Sequence, residues 1–391
     1  MTYGSSHMSW PIVPLGSVAR VVGGSTPDSG NTSYWGGDIV WVTPADLGQL
    51  ETIHVRDSGR RITRLGFLST SIDMLPVNSV ILSSRAPIGY LAINDVPLCT
   101  NQGCKSFVPG ASLDTRYLFY FLKRAVPALR ELGSGATFAE VSKSKLENYP
   151  IPVPPLPEQQ RIVAKLDEQM AALDRAQSAL DAQSLTVDHA KSGLLRAVLQ
   201  RAASRHAGTA PLPSICNIVM GQSPPGATYN NIGQGMPFYQ GRVDFGELSP
   251  ATRVWCSSPQ KVAEAGDVLL CVRAPVGPTN IASERCCIGR GLAALHCKLM
   301  LDPMFLLWTL RAREDEWSKL SSGSTFEAIT GTQLDSLTLL VPSKDEQKAI
   351  AEKMSEQWQL LSNTKNLIAA RYKQVTHLRV ALLDAALSGE V

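Results

Sequence analysis

The chain has 391 residues and is duplicated over most of its length, which limits the folds open to it. Residues 85–89 (RAPIG) return 188 positions later as 273–277 (RAPVG). In the same way, residues 134–138 (SGATF) return as 322–326 (SGSTF). A repeat of this period predicts two similar modules in one chain, related by an internal pseudo-twofold repeat.

Each copy ends in a heptad pattern of apolar residues. In the first copy they recur every seven positions from Leu166 to Leu194, and in the second from Met354 to Leu382. Such spacing predicts two long helices, at 156–206 and 343–391, whose apolar stripes need a partner. The other copy is the obvious partner, and the shared length and phase favour a paired coiled coil. Two ordinary bundle helices in separate domains are the alternative.

The segments before these helices, 9–155 and 207–342, have a different character. They are rich in Gly, Pro and β-branched residues, and short apolar runs such as 39–43 and 267–272 predict strands joined by turns. Short amphipathic helices are predicted between the strands, at 115–130 and 303–320. The predicted class is α+β, with a small twisted sheet in each module. Residues 1–8 resemble an expression scar, and we expect them to lie outside the fold.

Composition excludes several classes of protein. The net charge is only +3, which is small for a chain that holds DNA alone through many phosphate contacts. No apolar run reaches the roughly 18 residues of a membrane span, and no signal peptide opens the chain, so we expect a cytoplasmic protein. The eight cysteines include no Cys-x-x-Cys pair, which predicts reduced thiols and no metal site. No phosphate-binding loop or methyltransferase motif is found, which predicts a non-catalytic chain.

The approach to each helix carries a recognisable signature. It reads IPVPPLPEQQRIV at 151–163 and VPSKDEQKAI at 341–350, where the second proline pair is lost and Ser343 supplies a helix cap. Two globular modules, each followed by a long helix that begins in this way, resemble the specificity subunit of type I restriction-modification systems. The resemblance covers essentially the whole chain from residue 11 to residue 391.

The resemblance implies a function for each part. Each module would be a target-recognition domain that reads one half of a bipartite sequence in double-stranded DNA. The two helices would pack antiparallel as a spacer that sets the distance between the half-sites. Methyltransferase subunits, expected to number two, would dock on this chain and methylate adenine N6 with S-adenosylmethionine. Restriction subunits would bring ATP and Mg²⁺, so this chain would hold no cofactor itself.

Comparing the two copies separates candidate DNA contacts by role. Residues that the modules share should serve the fold or bind phosphate, and residues that differ should read bases. Arg85 and Arg273 are shared, which favours structure first and a phosphate contact second, with base readout as a third alternative. Thr137 and Thr325 lie in matching Gly/Ser-rich segments, where phosphate binding and turn formation are equally open.

The divergent stretches hold the candidates for base readout. Arginine can bind guanine bidentately and glutamine can bind adenine, and a strand end can present either to a groove. In the first module four arginines fall within nine residues, although a solvated face would explain them as well. The candidates are Arg56, Arg60, Arg61, Arg64, Thr43, Asn101 and Gln102 in the first module and Tyr239, Gln240, Arg242 and Arg290 in the second.

Three other functions stay open at this point. A duplicated DNA-binding regulator would need its affinity from this chain alone, which the small net charge disfavours. A scaffold with two protein-binding modules would not explain the arginine cluster. An enzyme with an unrecognised site is the third.

Overall fold

The structure, a computed structural model, describes residues 10–85, 87–133, 139–203, 208–314, 316–317 and 328–388. The chain forms two compact units. The first contains the residues up to Ala179 together with those from Arg371 onward, and the second contains Leu180–Ala370. Each unit therefore holds one globular module and a part of each long helix.

Within the described residues, ten strands and five helices begin in the first unit, and the last of these helices continues into the second unit. The strands are β1 (Ile12–Pro14), β2 (Ala19–Gly23), β3 (Trp35–Val42), β4 (His54–Val55), β5 (Arg61–Ile62), β6 (Val80–Ser83), β7 (Leu91–Asn94), β8 (Cys99–Thr100), β9 (Cys104–Pro109) and β10 (Pro150–Pro152). The helices are α1 (Pro44–Gly48), α2 (Arg64–Leu68), α3 (Thr115–Leu132), α4 (Lys143–Glu147) and α5 (Leu156–Ala203).

Over its own described residues, the second unit adds eleven named strands and four named helices. The strands are β11 (Gly208–Pro211), β12 (Cys216–Met220), β13 (Tyr229–Asn230), β14 (Met236–Tyr239), β15 (Trp255–Cys256), β16 (Val262–Ala263), β17 (Val268–Cys271), β18 (Thr279–Ile281), β19 (Cys286–Ile288), β20 (Leu292–Cys297) and β21 (Thr338–Val341). The helices are α6 (Leu212–Ile215), α7 (Pro303–Ala312), α8 (Gly331–Asp335) and α9 (Lys344–Ser388).

The sheets of the two units follow the same plan. The first unit has the sheet β2-β9-β6-β7-β4, and the second has the equivalent sheet β12-β20-β17-β18. A second sheet in each unit contains one parallel pair, β3 with β8 in the first and β14 with β19 in the second. A short antiparallel pair, β1 with β10 and β11 with β21, closes each module before its long helix. The predicted α+β class with two similar small-sheet modules is confirmed.

One helix supplies much of the core of each module. In the first unit α3 packs against the sheet through Tyr117 and Leu122, which have no exposed surface. In the second unit α7 does the same through Phe305 and Trp308. The helix α7 ends at Ala312, and after a turn at Arg313 the residues 314, 316 and 317 are helical again, with Trp317 buried. The predicted helix end at residue 320 lies outside the described residues.

The two long helices pack together within each unit. In the first unit Arg379 of α9 pairs with Asp174 of α5 at 2.7 Å, and in the second unit Lys365 pairs with Asp188 at 2.5 Å. A forward step along α5 therefore corresponds to a backward step along α9, so the helices are antiparallel. Five residues of the predicted apolar stripes are at most 8% exposed, namely Leu166, Val187, Met354, Ile368 and Val375. The coiled-coil prediction is confirmed.

All eight cysteines are free thiols, and only Cys297 is more than slightly exposed. In the first module, burial raises the pKa of Cys99 and of Cys104 to about 12. Among the described residues, no helix has the length and apolar character needed to cross a membrane.

Candidate nucleic-acid interface

Two parallel strands end side by side in the first unit and bring separate candidates together. Val42, at the end of β3, lies opposite Thr100, at the end of β8. The chain continues from these ends into Thr43 and Asn101, and the Asn101 amide donates to the Val42 carbonyl at 2.9 Å. We call this end of the pair, with the loops that touch it, the strand-end edge.

The segment after β2 completes this edge from the other side. The Ser25 amide donates to the Thr100 carbonyl at 3.0 Å, and the Thr26 hydroxyl donates to the Gln102 side-chain oxygen. A Cβ atom added at Gly24 would lie 1.9 Å from the Asn101 carbonyl oxygen, so only glycine allows this approach. The repeated glycine at positions 24 and 221 thus has a structural reason.

Thr43 has a structural task at this edge. It caps α1 together with Asp46. The Thr43 hydroxyl donates to the Asp46 carboxylate at 2.6 Å, and the Asp46 backbone amide donates to the Thr43 hydroxyl oxygen at 3.4 Å. The other oxygen of Asp46 accepts from the Gly59 amide at 2.9 Å. The loop with the predicted arginine cluster is thereby held against the strand-end edge.

The structure divides the four arginines of the cluster by their partners. Asp57 binds Arg61 at 2.9 Å, and the Arg61 hydrogen bond lowers the pKa of Asp57. Asp95 binds Arg56 at 2.6 Å, and the Arg56 hydrogen bond lowers the pKa of Asp95. Asp57 lies within the cluster in the sequence, whereas Asp95 is distant in the chain and is brought close by the parallel pairing of β4 with β7, so sequence reasoning missed it.

Arg60 differs from its neighbours because aromatic rings hold it. Its guanidinium carbon lies 3.6 Å from the centre of the Trp35 ring and 5.4 Å from that of Trp41. The two indoles meet edge to face at 5.0 Å, and the Trp41 amide donates to the Arg60 carbonyl at 3.4 Å. Stacking uses the face of a guanidinium and leaves its N–H edge available. Arg64 lies more loosely, 5.4 Å from the Phe67 ring.

The second unit builds the equivalent edge with other side chains. Tyr239 ends β14 opposite Ile288 of β19, and the chain continues into Gln240 and Gly289. The Gln222 amide donates to the Ile288 carbonyl at 3.1 Å, as Ser25 does in the first unit. A Cβ atom at Gly221 would lie 2.2 Å from the Gly289 carbonyl oxygen. Gln240, Arg242 and Arg290 are exposed at or beside this edge.

An aspartate braces this second edge as Asp46 braces the first. The Asp244 carboxylate accepts from the Gln240 amide at 2.7 Å and from Arg253 at 3.0 Å. Tyr239, in contrast, points into the core with 1% of its surface exposed, and its hydroxyl bonds Thr252 at 2.6 Å. The structure thus keeps Gln240 and Arg242 at the surface and places Tyr239 beneath them.

The shared candidates lie elsewhere in each module. Arg85 is half-buried and forms an isolated backbone bridge with Glu140, and the exposed Arg273 forms the matching bridge with Ala328. This repeated pairing is a structural role of the backbone, and it leaves the exposed Arg273 side chain available for phosphate. Thr137 and Thr325 lie outside the described residues.

The glutamine of the helix signature has a role that sequence reasoning did not find. Gln159 is fully buried; its oxygen accepts from the Asp114 amide at 2.7 Å, and its amide donates to the carbonyls of Ser112 and Pro154. Gln347 makes the same three bonds in the second unit, with the Asp302 amide at 2.8 Å and the carbonyls of Met300 and Pro342. The available sequence signal was the Glu-Gln pair, which recurs at the start of both long helices as 158–159 and 346–347.

The exposed side chains of both edges suit nucleic-acid contacts. They are amides, hydroxyls and guanidinium groups on braced loops, which can bind base edges or phosphate oxygens. Over the described ranges, no three or more His, Cys, Asp or Glu side chains form a cluster that could hold a metal ion.

Known proteins match this chain in sequence and in fold. The model of the type I restriction modification DNA specificity domain matches twice, at residues 8–180 and 210–373. A putative type I restriction enzyme specificity subunit, MjaX of Methanocaldococcus jannaschii, is 30% identical over 65% of this chain and 62% of its own length. The MjaIX specificity subunit of the same organism is 38% identical over 42% of this chain and 38% of its own. The chain thus spans less than two thirds of these curated relatives.

Two solved structures match over nearly their full length. The HsdS subunit from Thermoanaerobacter tengcongensis is 30% identical, with a TM-score of 0.61 and complete coverage of both chains. A chain from a structure of type I R-M complex assembly and conformational transition is also 30% identical, with a TM-score of 0.82 over 98% of this chain and 99% of its own. With the repeated domain and the shared fold, the chain belongs to the type I restriction-modification DNA specificity family.

Proposed function

We propose that this chain is the non-catalytic DNA-recognition subunit of a type I restriction-modification complex. Each strand-end edge reads one half of a bipartite target, and the antiparallel helices set the spacing and dock methyltransferase subunits. The observation that carries the proposal is the pair of edges: the same strands, glycine and aspartate build both, yet their exposed side chains differ. Shared scaffolds with different surfaces suit two readers of different sequences.

At residue level we propose Arg60 as the main base reader of the first module. Arg56 and Arg61 each have a carboxylate partner, whereas Arg60 has none among the residues that the structure describes. Its guanidinium is stacked on Trp35 at 3.6 Å, so little further ordering is needed when it binds. A stacked arginine with a free edge fits the O6 and N7 atoms of guanine.

The remaining edge residues receive supporting roles. Gln102 and Asn101 in the first module and Gln240, Arg242 and Arg290 in the second lie where they could contact bases or nearby phosphates. Arg64 and Arg273 are exposed and fit phosphate contacts. The boundaries that we propose are modules at 9–155 and 207–342, with spacer segments at 156–206 and 343–391.

The partners complete the chemistry of the proposed complex. Two methyltransferase subunits supply S-adenosylmethionine and the adenine N6 chemistry, and restriction subunits supply ATP- and Mg²⁺-dependent cleavage. The net charge of +3 supports this division, because the partners add DNA contacts that the chain lacks. We propose that the whole complex works in the cytoplasm.

Long-read mapping of N6-methyladenine, in cells with and without this gene, tests the proposal. We expect methylation to disappear at one split motif with a fixed gap when the gene is removed. An unchanged map in cells that do methylate adenine would overturn the proposal and favour a regulator or a scaffold.

A further inference from the structure

Glu247 joins the module of the second unit to both long helices. Its Oε1 atom accepts from Lys191 of α5 at 3.2 Å and from Ser362 of α9 at 2.5 Å, and Trp358 of α9 donates its indole N–H to the same oxygen. Lys191 also donates to the Ser362 hydroxyl at 2.8 Å. One carboxylate from a loop thus receives donors from two helices.

The Glu247 side chain is 49% exposed, but the donors that it binds are shielded from solvent. Lys191 and Ser362 are 18% and 5% exposed, and the Lys191 ammonium lies 4.4 Å from the Trp358 ring centre. Burial acts to raise the pKa of Glu247, but the donors Ser362 and Lys191 outweigh it, and the pKa is lowered. Charge-assisted hydrogen bonds of this kind are about twice as strong as neutral ones.

Glu247 also belongs to the segment that forms the strand-end edge. Asp244, which braces Gln240, lies three residues before it, and the Asp244 carbonyl accepts from the Ala251 amide at 2.8 Å. The Glu247 carbonyl itself accepts from Arg311 of α7 at 2.7 Å. The segment 240–251 therefore forms one braced loop, with Glu247 as its contact to the helices.

In the first unit, the residues that correspond to Lys191 and Ser362 make a different contact. By the 188-residue repeat, Arg379 and Asp174 are the counterparts of Lys191 and Ser362, and they pair directly at 2.7 Å. The acid that binds the cation therefore comes from α5 and not from the module. The sequence DLGQL at 46–50 matches DFGEL at 244–248, which puts Gln49 at the position of Glu247.

In the first unit, a cavity lies between the module and the long helices. A cavity of about 600 Å³ is lined by Leu50 and Glu51 of the module, by Lys123 of α3, and by Asp174 and Arg379 of the long helices. Glu51 is exposed, and within the described ranges it forms no ion pair. The edge of the first module thus lacks the carboxylate contact that the second module makes.

We propose that Glu247 is a positioning residue, which fastens the strand-end edge of the second module to the helix pair. Among the residues that the structure describes, the first module has no equivalent contact, so its edge moves more freely against its helices. The consequence for specificity rests on the proposed function: the half-site read by the second module tolerates fewer base changes than the other half-site.

Hydrogen–deuterium exchange on the full chain tests the fastening without DNA. We expect Glu247→Ala to speed exchange at 240–251 by about tenfold or more, because the loop then opens separately from the core. The matched control is Asp174→Ala, which removes the helix pair's cation partner in the first unit and should leave exchange at 43–61 unchanged. Unchanged exchange at 240–251 in the Glu247 variant would overturn the proposal.

A double variant separates positioning from simple charge balance. Glu247→Ala with Ser362→Asp gives Lys191 an acid on the neighbouring helix, as in the first unit. We expect Glu247→Ala alone to lower the thermal stability of the helix pair, and the double variant to restore it. We do not expect the double variant to restore slow exchange at 240–251. Recovery of slow exchange in the double variant would show that Glu247 only neutralises Lys191. That result would contradict the proposal that Glu247 positions the strand-end edge.

Methylation mapping tests the consequence for specificity. In cells that carry Glu247→Ala, we expect about fivefold more methylation at sites with one wrong base in a single half of the motif, because a more mobile edge discriminates less against a mismatched base pair. Faster exchange with unchanged methylation at mismatched sites would overturn the specificity role, although the fastening would stand. Loss of any dependence of methylation on this chain would refute the proposed function and leave the exchange result intact.

Discussion

The two units have the same fold and differ in what they expose. Both place a glycine, a parallel strand pair and a bracing aspartate in the same order, and both bury one glutamine under the start of a long helix. At the surface, the first unit presents an arginine stacked on tryptophan, and the second presents Gln240 and Arg242. The shared Gln159 and Gln347 bind the chain's own backbone, whereas the differing Arg60, Gln240 and Arg242 are exposed, which suits two domains that recognise different sequences.

The largest effect should come from the shared glutamines. Replacing Gln159 or Gln347 with Ala leaves one buried carbonyl, one partly buried carbonyl and one partly buried amide without partners in that unit. A buried group without a partner costs about 1–3 kcal/mol and the partly buried groups add less, so we expect the free energy of opening to fall by about 3 kcal/mol. Hydrogen exchange at 112–118 and at 300–306 measures it in each unit.

Glu158→Ala is the control for this comparison, because Glu158 makes only a partly exposed pair with Arg161 at 2.8 Å. We expect a change below about 1 kcal/mol there. If only one of the two glutamine variants loosened its unit, the equivalence of the two helix starts would be wrong.

The next effect concerns Arg60. Arg60→Ala should weaken binding of the mapped target by about 1–3 kcal/mol, because it removes a preorganised base contact. Arg61→Ala should weaken binding much less, since Asp57 already satisfies that guanidinium at 2.9 Å. Titration of labelled duplex with the full complex at fixed salt gives both values. Equal losses would mean that the cluster acts only through its charge.

A smaller effect is expected for the ion pairs between the helices. Arg379→Met in the first unit and Lys365→Met in the second should each change stability by about 0.5 kcal/mol, because Asp174 and Asp188 are 65% and 55% exposed. Thermal unfolding at low and high salt measures the difference, which should shrink as salt rises. A loss of several kcal/mol would show that these pairs carry more of the coiled coil than its apolar stripe.

The smallest effect is a pH dependence that arises from Asp95 in the first unit. The Arg56 hydrogen bond lowers the pKa of Asp95, so the folded carboxyl holds its proton less tightly than the unfolded one. The ionised Asp95 therefore contributes fully to the free energy of unfolding when the pH is above 3.8, the ordinary pKa of an aspartate. This contribution is lost as the pH falls through the lower pKa that Asp95 has in the folded protein. Carboxyl NMR titration should show a midpoint below 3.8, and Arg56→Ala should raise it. An unchanged midpoint in that variant would remove Arg56 as the cause.

Sequence reasoning predicted the parts of the molecule that depend on repetition. The heptads from Leu166 and Met354 indicated the long helices, and the duplication indicated two equivalent modules, because both signals are local or periodic. The parallel pairing that brings Thr43 beside Asn101 was not predicted, since strands this short carry no signal of their partners.

The candidate site was predicted at the level of loops and not of individual contacts. Tyr239 was a candidate for base readout but lies in the core, because both faces of β14 are covered at its end: Phe238 and Tyr239 are each 1% exposed. The partners of Arg56 and Arg60 come from Asp95 and Trp35, more than 20 residues away in sequence. Glu247 gave no signal, because its meaning depends on two helices that meet it only in the folded chain.

The central claim is that each strand-end edge reads its own half of one target. N6-methyladenine maps of cells that carry Arg60→Ala, or Gln240→Ala together with Arg290→Ala, test it most directly beside the wild-type map. We predict that each variant relaxes the base preference in one half of the motif, that the affected half differs between them, and that the gap is unchanged. Relaxation of the same half by both variants, or unaltered preferences in both halves, would contradict the account.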